Sequence, residues 1–141
     1  MPSEPNDQLA PPVVRRIDPL AVAVGALVAT DLVGGLIAVA TGLNTWGEAW
    51  GSEALLAAPI PMIVAQVLLA TLALRLRGRG AAVAAGVLAL ACLVSVVSGF
   101  FDGGLGNGEL TAGTRLFQIF LLAITAVVGV RAAILAVGRW S

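Results

Sequence analysis

The chain has 141 residues, 59% of them hydrophobic and 11% charged, with no formal net charge, and its mean hydropathy is +1.00. A soluble domain is roughly a quarter charged, so this deficit points to a membrane. With no His and one Cys, bis-His haem, His-rich metal sites, Ser-His-Asp and Cys-His catalysis and an intramolecular disulfide are excluded. No basic cluster has interleaved aromatics, so no nucleic-acid partner is expected.

All eight basic residues are Arg; with heavy Ala, Gly and Val use, this is expected of a high-GC bacterial source. The first 14 residues, MPSEPNDQLAPPVV, are polar, acidic and carry four prolines. Such a stretch cannot bury enough apolar area to offset chain entropy. Together with Arg15 and Arg16 it is expected to form a disordered cytoplasmic tail over residues 1–16, ahead of a membrane domain over 17–141.

Four apolar segments follow, at about 20–41, 54–74, 81–101 and 116–137. At a rise of 1.5 Å per residue, about 20 residues cross a hydrocarbon core of about 30 Å. They show no period-2 alternation, so strands are excluded. The expected fold is all-α: a polytopic four-helix transmembrane bundle. The first segment is longer than a signal-peptide core and contains Asp31, so it is read as a retained helix.

Arginine placement orients the chain. Arg15, Arg16, Arg75, Arg77, Arg79, Arg131 and Arg139 flank one side, and only Arg115 falls in the loops on the other. Both termini are therefore expected in the cytoplasm, in a multi-pass arrangement in the cell membrane (N-in/C-in). The turn RLRGRG makes segments two and three antiparallel neighbours. Trp46 and Trp50, one helical turn apart in NTWGEAW, are read as anchors on a short interfacial helix, and Trp140 as the inner anchor. Ser52 is a suitable N-cap for segment two, with Glu53 in its first turn, which leaves Pro59 and Pro61 inside the helix as a bend. The loop DGGLGNGE resembles one turn of a glycine-rich calcium repeat but lacks EF-hand spacing, so a solvated loop is expected.

Few polar residues lie at depth. Asp31 is about 16 Å into segment one and Gln66 about 18 Å into segment two. Cys92, Ser95 and Thr125 fall near the same plane, and Arg131 lies near the inner end of segment four. A carboxylate held away from water is suited to carrying protons near neutral pH, with Gln66, Ser95 and Thr125 lining a pocket. The same residues equally serve as packing glue, with Asp31 hydrogen-bonded to Gln66 or a segment-three hydroxyl, or paired with Arg131. Gly34 and Gly35, beside Asp31, together with Gly25 and Gly99, allow close helix approach.

No catalytic constellation, metal site or cofactor is expected, and the chain is read as a non-enzyme. Its partners are the lipid bilayer and either a second copy or another membrane protein. The reading preferred on sequence is an accessory, assembly or lipid-contacting bundle; the alternative is a small proton-coupled transporter or ion pathway that uses Asp31.

Overall fold

The computed structural model describes residues 16–101, 105–106 and 108–141. Four helices account for the regular structure: α1 Pro19–Ala40, α2 Ile60–Arg75, α3 Gly78–Phe101 and α4 Ala112–Trp140. No strand occurs among the described residues. Residues 1–15, most of the proposed tail, and part of the glycine-rich loop lie outside the described residues.

Each boundary has a local cause. Asp18 caps α1 through a 2.8 Å bond from the Leu20 amide to its carboxylate, and Pro19 occupies the first turn, where no amide is needed. At the other end Gly42 takes φ +74. Leu43 N–H then donates to the Ala38 carbonyl at 2.9 Å and Gly42 N–H to Val39 at 3.1 Å, the paired bonds of a Schellman cap. Thr111 caps α4 by accepting from the Thr114 amide at 3.3 Å. Gly78, with φ +59, opens α3 straight after the turn that follows α2.

Three helices, α1, α3 and α4, are long and apolar enough to cross a membrane. α2 is a correction to the expected span. It has 16 residues rather than the 21 of the apolar segment, and it begins at Ile60 with Pro59 as its N-cap. Ser52 does not cap it, and Glu53 is not in its first turn. The prolines decide this. Pro61 within the first turn sacrifices only an amide that would be unpaired anyway, whereas the same ring deeper in a helix removes a hydrogen bond and clashes with the preceding turn. At about 24 Å, α2 falls short of a hydrocarbon core. The apolar residues before it form loop instead.

Many large apolar side chains lie exposed on the helices. Leu68 is 58% exposed, Leu90 61%, Val130 59% and Ile134 61%. In water such faces would drive aggregation; in lipid they are the favourable ones. α3 and α4 pack most extensively, α2 packs on α3 and α1 on α4, while α1 and α2 barely touch. The α3–α4 seam is close because of small residues: a Cβ added at Gly129 would stand 3.0 Å from the Cβ of Cys92, and one at Gly99 2.5 Å from a Leu122 methyl. The main core gathers Leu27, Ala85, Leu88, Cys92, Val128 and Ala132.

Candidate functional site: a polar cavity closed by an inward-folding loop

The 41–59 connection turns back into the helices. Asn44, itself buried, holds it at two points: its amide donates to the Glu53 carbonyl at 3.1 Å and its oxygen accepts from Leu55 N–H at 3.2 Å. Leu56 is fully buried with Ala38 and Leu110, flanked by Phe117. The Ile60 amide donates to the Trp50 carbonyl at 2.9 Å, tying the start of α2 to the loop.

Asp31 meets this loop rather than a helix. Its Oδ1 accepts from the Ala58 backbone N–H at 2.8 Å. Asp31 lies nine residues before the end of α1, so Ala58 sits about 14 Å below that end. Non-helical backbone at such depth must be satisfied by protein groups, and here a carboxylate does so. The expected partners are not used: Asp31 does not bond Gln66 or Ser95, and Arg131 lies exposed on α4. The reach from Arg131 is simply not taken up.

The glycines beside Asp31 serve the same loop. A Cβ at Gly34 would collide with the Leu56 carbonyl and, at 2.8 Å, with the Phe117 ring; one at Gly35 would strike the Trp50 indole. The close approach expected there occurs, but its partner is loop backbone and an indole rather than a neighbouring helix. Gly25 has open space around it and makes no such approach. Trp50 is half-buried on Gly35, while Trp46 and Trp140 remain exposed. The two loop rings are 6.1 Å apart and tilted by 34°. The short helix expected in NTWGEAW is reduced to turns, with Glu48 and Ala49 both donating to the Thr45 carbonyl. The Thr45 amide, bonded to Glu48 at 2.8 Å, holds that carboxyl below its ordinary pKa.

Where α1 and α2 stand apart lies a cavity of about 430 Å³. All four helices and the loop contribute: Asp31 from α1, Gln66 from α2, Ser95 and Ser98 from α3, Gln118 and Thr125 from α4, and Ser52 from the loop. Asp31, Gln66 and Thr125, reached separately by depth along the sequence, thus share one wall with Ser95. Gln118 is an addition to these: it lies two residues into the 116–137 segment, too shallow for the depth that marks the others, and its signal is an uncharged amide in an otherwise apolar run.

The wall carries acceptors together with the amide donors of Gln66 and Gln118. Asp31 Oδ2, Gln66 Oε1 and Gln118 Oε1 are buried without a hydrogen-bond partner. Thr125 spends its proton on the Leu121 carbonyl of its own helix at 2.9 Å, while the Ser95 hydroxyl faces both the Ala91 carbonyl at 2.9 Å and the Met62 sulfur of α2 at 3.5 Å. A buried polar group left unpaired costs about 1–3 kcal/mol, so these three oxygens are the costly part of the site. Among the described residues no group of three or more His, Cys, Asp or Glu is placed to hold a metal ion. Comparison with family models, with curated proteins and with solved structures finds no match.

Proposed function

We propose that the chain is a small integral membrane protein that works as a proton-coupled transporter or ion pathway, with Asp31 as its carrier carboxylate. The observation that carries this reading is the division of labour within Asp31, which lines the cavity: Oδ1 is committed to Ala58, and Oδ2 is buried without a partner. A carboxylate used only as helix glue would engage a side chain on a neighbouring helix. An intramembrane acid with a free oxygen beside a cavity is instead suited to exchanging a proton. The Oδ1 bond links that exchange to the loop, because protonation weakens a charge-assisted bond.

The topology belongs to the same proposal: a multi-pass protein of the cell membrane with both termini cytoplasmic. It is supported by Arg75, Arg77 and Arg79 at the α2–α3 turn and by Arg139, whose guanidinium donates to the Leu76 carbonyl at 3.4 Å, all at one end. No chemical transformation is proposed.

The test is proton flux into vesicles reconstituted with the pure protein under an imposed gradient. Wild type is expected to conduct and Asp31→Asn to fall to the level of empty vesicles, with unchanged helical content. Equal flux from both proteins overturns the reading. A second reading, an accessory or assembly protein without flux, is favoured by the Asp31–Ala58 bond taken as purely architectural. It requires Asp31→Asn to leave partner association and phenotype intact.

A further inference from the structure

We propose that the cavity binds a protonated primary amine with an apolar body, its ammonium group held at Asp31. This rests on the reading of the cavity as a solute site, and it adds the chemical class of the solute.

Asp31 is the one charged side chain among the described residues that line the cavity. Asp31 Oδ2 and the side-chain oxygens of Gln66 and Gln118 are unpartnered acceptors, and all three residues are at least nine-tenths buried. The Thr125 hydroxyl gives its proton to the Leu121 carbonyl and the Ser95 hydroxyl to the Ala91 carbonyl or the Met62 sulfur, so both protons are already engaged and the oxygen lone pairs remain. Gln66 and Gln118 also bring amide donors, so the charge decides the class: a solute that satisfies Asp31 is singly positive and donates to it. An ammonium group does both, with three donors and no acceptor.

Size and apolar lining separate the remaining candidates. A bare alkali cation needs several converging oxygens and occupies a small part of 430 Å³. The rest of the wall includes Leu27, Leu55, Met62, Val94, Leu121 and Leu122, which favours a solute carrying hydrocarbon. A carboxylate or phosphate would face Asp31 with no cation to offset it, since Arg131 does not line the cavity.

The experiment is equilibrium dialysis of hexylamine against the protein in lipid nanodiscs, corrected for empty nanodiscs, with hexanol, hexanoate and sodium chloride in parallel. One equivalent of hexylamine is expected to bind saturably, with hexanol and hexanoate binding at least tenfold more weakly. Loss of a charge-assisted bond predicts a drop of about tenfold or more in Asp31→Asn. Gln118→Leu, which keeps the carboxylate and its loop bond, is expected to weaken hexylamine several-fold, which guards against misfolding of the first variant. Equal binding of hexanol and hexylamine, unaffected by Asp31→Asn, overturns the proposal in favour of an apolar void. Binding of sodium without hexylamine overturns it in favour of an inorganic cation and leaves the ion-pathway reading standing. Hexylamine binding without proton flux keeps the solute and removes the transport.

Discussion

Replacing Gly34 by Ala tests whether the inward fold of the 41–59 loop is built into α1. The added methyl would collide with the Leu56 carbonyl and stand 2.8 Å from Phe117, so two outcomes are open to the protein. The loop stays and takes the overpacking, at about 1–3 kcal/mol, or it shifts outward and gives up the Asp31–Ala58 bond, worth about 1.5–3 kcal/mol for a charged acceptor. Either route destabilises by about 1–3 kcal/mol. Gly25→Ala, on the same helix with nothing near its Cβ, gains helix propensity instead and is expected to stabilise by about 0.5–1 kcal/mol. Unfolding in mixed micelles, followed by tryptophan fluorescence and circular dichroism, reads both. A double-mutant cycle with Asp31→Ala identifies the route: if the loop has shifted, the second substitution has no bond left to break, and the two costs fall short of additivity by about 0.5 kcal/mol or more. Gly34→Ala as stable as Gly25→Ala would refute the close approach.

Three further outcomes are expected. Gln118→Leu and Gln66→Leu each replace a buried, unpartnered oxygen by an apolar group of similar size, and in the absence of solute are expected to be neutral or stabilising by up to about 1–3 kcal/mol in the same unfolding assay. Destabilisation by either would show that its oxygen is satisfied. The Glu48 carboxyl, held low by the Thr45 amide, contributes stability present above its ordinary value and lost as pH falls through its folded pKa; the loop fluorescence of Trp46 is therefore expected to change on acidification in wild type and to lose that step in Glu48→Gln. For topology, cysteines placed singly at Arg77 and at Glu48 in a Cys92→Ala background are expected to react with an impermeant maleimide from opposite sides of the membrane, and labelling from one side contradicts the orientation.

Much of the architecture was legible because hydrocarbon thickness is a strict ruler. α1, α3 and α4 appear within a few residues of the apolar runs that announce them. α2 does not, because hydropathy cannot tell an apolar loop packed inside a protein from a helix facing lipid: Ala54 to Ala58 score as membrane in either state. Pro59 and Pro61 held the answer, since a proline pair is tolerated far better at a helix start than two turns into it. The site divides in the same way. Depth along each helix brought Asp31, Gln66, Ser95 and Thr125 to one level, and the cavity unites them. The partner of Asp31 escaped because it is the backbone amide of Ala58, a donor that nearly every residue carries and no side-chain pattern marks. Gly34 and Gly35 did announce a close approach, while the loop that makes it depends on the Schellman cap at Gly42 and the Asn44 bonds.

Asp31 decides between a proton carrier and a fixed latch, and its proton is the quantity to measure. Infrared difference spectra of the reconstituted protein, taken between acidic and alkaline pH, resolve a protonated carboxyl in an apolar site as a band separate from solvated acids. Wild type is expected to show such a band, rising and falling with pH; it persists in Gln118→Leu and is absent in Asp31→Asn. Identical wild-type and Asp31→Asn spectra would contradict the carrier reading, leaving Asp31 as a fixed latch on Ala58 and the protein as a structural bundle.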